Sequence, residues 1–312
     1  MQPSPKTDTP SGPGPLLIVD GHCYAYRAFY GITSLTSPTG RPVNAIYGFI
    51  RMLEKMRERL RPSRLVVVWD GGLAESRKAL WPEYKAQRPE LPAGLATQLD
   101  DMVEFLRAAG ICSLCMDGCE ADDCIAVLAS QAEAANLPTV IASSDKDFMQ
   151  LVSENVRLLV PQDKTETLWD SAQVKQKTGV EPTQIVDWLS LIGDAVDNIP
   201  GVEGVGPKTA ADLLGKFGSI DVVYSRLGEV SSERVRSRLQ VAEEAVRRNQ
   251  QLIRLHSSIA CDVSLDDLEL RDAKAEELRR LFTVWGFKKM LQSLDELLGK
   301  TEDLFHEQTH AG

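Results

Sequence analysis

The sequence predicts an α/β fold, a mostly parallel sheet between helices, followed by a second region that is helical. Three observations lead there. Short β-branched runs alternate with helix-period stretches through the first half of the chain. The runs are almost continuously apolar, the pattern of strands covered on both faces. Strand signals then stop near residue 180, and the remainder reads as helices with one Gly-rich interruption.

Taken in order, "PLLIVD" is a strand that ends on Asp20, and "NAIYGFIRMLEKMRERL" carries helix-spaced apolar positions. "RLVVVWD" is a second strand, ending on Asp70. The stretch "GGLAESRKALWPEYKAQRPELP" mixes charges, Trp81, Tyr84 and prolines, and "LATQLDDMVEFLRAAG" returns to a helical period. "GICSLCM" reads as a buried strand with small thiol side chains. In "GCEADDCIAVLA", Ala121, Cys124, Ile125 and Leu128 make the apolar face of a helix. "PTVIASSDKD" is a further strand that runs out at Asp145 and Asp147. Residues 1–14, rich in Pro, Ser, Thr and Gly, are expected to be a disordered tail. Residues 15–178 form the α/β unit, 179–298 the helical unit, and 299–312 a polar tail.

Composition removes several function classes. A net charge of −10 over 312 residues argues against a protein that coats nucleic acid non-specifically. No apolar run approaches the ~20 residues of a membrane helix, and the N-terminus has no signal-peptide core, so a cytoplasmic protein with free thiols is expected. Cys112 and Cys115 form a C-x-x-C, but no second pair and no nearby His accompanies them. Zinc is therefore not expected.

The acidic residues are the informative ones. Asp20, Asp70 and Asp145 fall at strand ends, Glu120, Asp122 and Asp123 open a helix, and Asp147 follows Asp145 by two. "GDAVDN" adds Asp194 and Asp197, i and i+3, which reads as one side of a helix turn. Singly, each is an ordinary cap or solvated acid. Jointly, a parallel sheet would bring them to the carboxyl end of its strands, where sites of such sheets lie. That much like charge is tolerable only with cations among it, and oxygen-only ligands favour Mg²⁺, with Mn²⁺ as substitute, over zinc. Two ions ~3.5–4 Å apart suit the attacking and leaving oxygens of a phosphodiester.

"IVDGHCYAYRAFY", "WDGG", "YKAQRP", "GCEADDCIA", "SSDKDFMQL" and "GDAVDNIPGVEGVGPKTAADLL" together resemble the 5′-nuclease domain of bacterial DNA polymerase I, in the flap endonuclease family. The likeness runs from about residue 14 to 298, in family order. It implies a PIN-like core with a helical arch near 72–95 and a helix–hairpin–helix-type C-terminal domain. It assigns Asp20, Asp70, Glu120, Asp122, Asp145 and Asp147 to a first metal, and Asp123, Asp194 and Asp197 to a second ion or its water. It makes Arg77, Lys85 and Arg88 the arch cations on the scissile phosphate, and Tyr26 and Tyr84 aromatics that meet DNA. No polymerase portion is present, so the chain reads as a standalone enzyme or a fragment, monomeric, with a DNA polymerase as an expected partner.

"GVEGVGPKT" is not a P-loop, because Pro207 separates Gly206 from Lys208. It reads instead as a hairpin between helices. There Gly201, Gly204 and Gly206 would bring backbone N–H groups to duplex phosphate, with Lys208 as a point charge. The resemblance adds a K⁺ ion at this turn. The implied activity is 5′→3′ exonuclease and 5′-flap endonuclease cleavage of DNA in replication and repair. Two other readings share the features: a non-catalytic flap or junction DNA-binding protein, and an RNA nuclease of the PIN-like superfamily. The intact acid set speaks against the first, the arch and Gly-rich hairpin against the second.

Overall fold

The computed structural model describes residues 14–309 except 163–164, 258, 260 and 262; the expected tail at 1–14 lies almost wholly outside them. The chain opens with β1 (Leu16–Asp20), α1 (Gly21–Gly31) and α2 (Asn44–Leu60), then β2 (Arg64–Trp69). A short helix α3 (Glu75–Leu80) and the long α4 (Ala93–Ala108) lead to β3 (Cys112–Cys115), α5 (Ala121–Ala134) and β4 (Thr139–Ala142). A 3₁₀ turn over Lys146–Leu151 precedes β5 (Val156–Gln162), β6 (Thr165–Trp169) and α6 (Ser171–Thr178). The second region holds α7 (Ile185–Ile192), a two-residue ribbon of β7 (Gly193–Asp194) and β8 (Ile199–Pro200), then α8 (Pro207–Phe217). It continues with α9 (Ile220–Ser225), α10 (Glu233–Ile253), α11 (Ala275–Trp285) and α12 (Lys288–Thr309).

The main sheet has the order β3-β2-β1-β4-β5-β6, and only the β5–β6 pair is antiparallel. Because β1 is flanked by β2 on one side and β4 on the other, the chain reverses its winding direction there. That reversal opens a crevice beyond the carboxyl ends of β1 and β4. Strand alternation divides the apolar side chains between two faces. Leu16, Ile18, Val66, Val68 and Ile141 join one core with Ile125 and Leu128 of α5. Leu17, Val19, Leu65 and Val67 join the other with Phe49 of α2 and Phe105 of α4. Both faces are covered, which is why the strands lack polar alternation.

Four features depart from the sequence reading. The β5–β6 hairpin adds two strands where none was assigned. Asp194 ends β7 and Asp197 lies in the turn between β7 and β8, so neither is on a helix. The region after residue 179 does not stay together. Arg64 donates to the Leu265 carbonyl and pairs with Glu269, leading the chain back under the sheet. Leu278, Phe282 and Trp285 of α11 then complete the core beside α2 and α4. Finally, α12 carries helical backbone through Thr309, where a polar tail was expected from 299.

A candidate metal centre

The carboxylates gather in the crevice, around a cavity of about 470 Å³. Asp20, Asp70, Asp122, Asp145, Asp194 and Asp197 line it, together with His22, Tyr26, Arg88 and Lys146. Asp20 ends β1 and caps α1, so its Oδ1 accepts the Cys23 N–H at 3.0 Å while Oδ2 accepts the Ser143 hydroxyl at 2.8 Å. Asp70 follows β2, and its N–H donates to His22 Nδ1 at 3.2 Å. Burial holds His22 below its usual pKa, consistent with a neutral ring that accepts at Nδ1. Asp145 caps the 3₁₀ turn by accepting the Asp147 N–H at 2.9 Å.

A tighter group lies inside this set. Ligand oxygens of Asp147, Asp194 and Asp197 all fall within 4.8 Å of one another. Asp147 therefore sits with the pair from the ribbon turn, not only with Asp145 as the resemblance implied. Asp197 is met by Arg88 at 2.8 Å, and Asp194 by Lys146 at 3.0 Å. Two oxygens have no protein partner although both are buried: Oδ1 of Asp70 and Oδ1 of Asp147. Buried polar atoms normally find a partner, and unpartnered carboxylate oxygens at a cluster of carboxylates are what a hard cation would satisfy. The residues present fit divalent ions.

Electrostatics point the same way. Burial, with Asp145 and Asp70 nearby, pushes Asp20 from 3.8 up to about 6. Burial and neighbouring carboxylates also raise Asp122, Asp145 and Asp147. A group raised in the folded state stabilises the fold below its ordinary pKa and loses that contribution as pH climbs through the raised value. Burial would raise Glu120 too, but Lys85 and Arg77 hold it low, so it acts in the opposite sense, as does His22, which burial lowers; the four raised aspartates outnumber them. The metal-free protein should consequently melt several degrees lower at pH 7.5 than at pH 5, and Mg²⁺ should restore the difference. Melting scans in EDTA across that range check this; a melting point that rises with pH would contradict it.

Six sequence assignments need correction: those of Arg77, Asp123, Tyr84, Lys85, Glu120 and Gly201. Arg77 is only 3% exposed and holds Asp123 through two bonds of 2.6 and 2.8 Å, while also donating to the Leu252 and Arg254 carbonyls. It is a buried tie between α3, α5 and the end of α10, not a cation presented to phosphate. Asp123, further fixed by the His256 N–H at 2.9 Å, faces that tie and not the cavity. Tyr84 is buried, with its hydroxyl on Glu120 at 3.1 Å, so its ring offers DNA no face.

Of the other two arch cations, Lys85 also lies on the core, whereas Arg88 is exposed. Lys85 is buried against Glu120, with Asp122 at 3.6 Å and Asp197 at 3.8 Å. Glu120, whose oxygens are taken by Lys85, Tyr84, Arg77 and the Ala74 N–H, props the site from behind. Arg88 is the arch cation that reaches the cavity. Tyr26 lines the rim and stacks near-parallel on Tyr30, which is 68% exposed. In the Gly-rich turn, a side chain at Gly201 would sit 2.3 Å from the Ile192 carbonyl carbon, so that glycine serves the packing of the β7–β8 ribbon. Gly204 has φ +77° and faces open space, as does Gly206, the cap of α8, with Lys208 exposed beside it. Sequence reasoning passed over His22, Ser143 and Lys146; only Lys146 left a signal, standing between two nominated aspartates.

Family models match both halves of the chain: a 5′-3′ exonuclease N-terminal resolvase-like domain over residues 15–179, and a 5′-3′ exonuclease C-terminal SAM fold over 180–276. The chain belongs to the 5′-3′ exonuclease family. It is 37% identical to the 5′-3′ exonuclease of Aquifex aeolicus over 282 residues, 90% of this chain and 96% of that one. It is 39% identical to DNA polymerase I of Pseudomonas aeruginosa over 287 residues, 90% of this chain but 31% of the polymerase. Among solved structures, a bacteriophage T5 flap endonuclease variant, in a pseudo-enzyme-product complex with DNA and metal ions, superimposes with a TM-score of 0.65. That likeness, at 20% identity over 90% of this chain and 98% of the other, bears on the fold. The resolvase-like core and the helical second domain read from the motifs are thus those of this exonuclease family. Among the described residues, no helix is long and apolar enough to cross a membrane.

Proposed function

We propose that this chain hydrolyses DNA phosphodiester bonds at 5′ flaps and 5′ ends with two Mg²⁺ ions, Mn²⁺ serving as substitute. The observation that carries the reading is the convergence of aspartates from separate segments on one cavity, with buried carboxylate oxygens left unpartnered. Asp20, Asp70, Asp122 and Asp145 would hold one ion and Asp147, Asp194 and Asp197 the other. Bound there, the ions supply positive charge to the reacting phosphate and lower the pKa of water. The chain supplies the rest. Lys85 and Glu120 hold the acidic wall in register from behind, and Arg88 offers its guanidinium to the phosphate. Tyr26 stacks on a base, a contact indifferent to sequence. Gly204, Gly206 and Lys208 grip duplex phosphate, with K⁺ at the turn. A DNA polymerase acting on the same strand is the partner this activity fits.

The test is an end-labelled 5′-flap DNA digested with Mg²⁺ and with EDTA, beside a matched RNA flap. Mg²⁺-dependent cleavage near the flap junction is expected. Binding without cleavage would favour a junction-binding protein, and faster RNA cleavage a PIN-like RNA nuclease. Flap affinity measured in Ca²⁺ should fall linearly on a log–log plot against salt, because phosphate contacts release counterions.

A further inference from the structure

Lys146 is the cation inside the site that no functional reading has used. It opens the 3₁₀ turn between Asp145 and Asp147, lines the cavity, and places Nζ 3.0 Å from Asp194 Oδ1. The two partners differ in freedom. The Lys146 side chain is 36% exposed on a flexible four-carbon stem. The Asp194 carboxylate is buried and independently oriented by the Val196 N–H at 3.0 Å. Breaking the ion pair therefore leaves the carboxylate where it is and frees the ammonium. Asp194 belongs to the close group with Asp147 and Asp197, in which Asp147 Oδ1 has no partner. Lys146 thus neutralises one corner of a site that still has an unmet oxygen.

We propose that Lys146 is a resident counter-ion of the second metal position. It pairs with Asp194 while the position is empty, gives way when a divalent ion arrives, and then turns its ammonium to the phosphate of the bound strand. This rests on the two-ion reading above. It makes the site self-compensating: part of the acidic crowding is relieved without metal, and the same charge becomes available to substrate once metal takes over. Like charges in so confined a space exclude each other, so the ammonium and the ion cannot share Asp194.

The full chain with Lys146→Met, which keeps the stem and removes the charge, separates this from a plain surface ion pair. Mn²⁺ titration without DNA, followed by electron paramagnetic resonance, should show the weaker of two sites tightening about five-fold in Lys146→Met. Lys146→Arg should stay near wild type. Flap binding in Ca²⁺ should weaken in Lys146→Met, and the salt slope should fall by about one phosphate contact. Unchanged Mn²⁺ affinity and an unchanged slope, in protein that binds two Mn²⁺, would overturn the counter-ion role and leave the two-ion reading intact. Wild-type protein that binds no Mn²⁺ would overturn both.

Discussion

Asp70→Asn is expected to lower flap cleavage about a thousand-fold, the scale of losing several kcal/mol of charge stabilisation, while making the metal-free protein melt at a higher temperature. The two effects have one origin. Asp70 Oδ1 is buried without a partner, and the Asp70 charge helps to raise Asp20. Asparagine keeps the shape and removes the charge, so the crowded wall relaxes when no ion is present and loses a ligand when one is. Asp145→Asn should behave alike, because Asp145 also raises Asp20 and Asp122. Turnover on an end-labelled flap and melting in EDTA read the two effects separately. Near-normal turnover would remove Asp70 from the ligand set.

The second large effect separates two arginines of the arch. Arg77→Met should cost about 3–5 kcal/mol of stability, because it strands Asp123 as a buried, unpaired charge. Arg88→Met should lower the melting point much less than Arg77→Met, because Asp197 keeps Lys85 at 3.8 Å, and reduce cleavage by about 10²–10³, as expected of a donor aimed at developing charge. The Arg88 side chain is 37% exposed and its partner Asp197 lies at the cavity, whereas Arg77 reaches only Asp123, Glu120 and backbone carbonyls. Denaturant melts beside single-turnover rates distinguish the two. A stable Arg77→Met protein with a purely catalytic defect would reverse the assignment.

That contrast marks where the sequence stops being legible. Strands ending on Asp20 and Asp70, the helix-opening acids and the Gly-rich turn were readable, because each rests on a local period or a cap. The fates of Arg77, Tyr84 and Asp123 were not. Charged residues default to solvent, and the Arg77–Asp123 pair spans 46 positions, which no local pattern encodes. The β5–β6 hairpin escaped notice because Pro161 interrupts an otherwise plausible strand, tolerated here opposite Glu166 near the sheet edge. Asp194 and Asp197 have helical spacing, but Gly193 and the close approach of Gly201 to Ile192 select a ribbon instead.

The return of the chain to its own beginning has a consequence for biosynthesis. Trp285, Phe282 and Leu278 share a core with Leu17, Val19 and Phe49, so residues near the start wait for partners made almost 270 positions later. A ribosome that has released only the resolvase-like half has produced a sheet with one layer unfinished. The core on the α2 and α4 side of the sheet is therefore completed late, only once residues 278–285 have emerged.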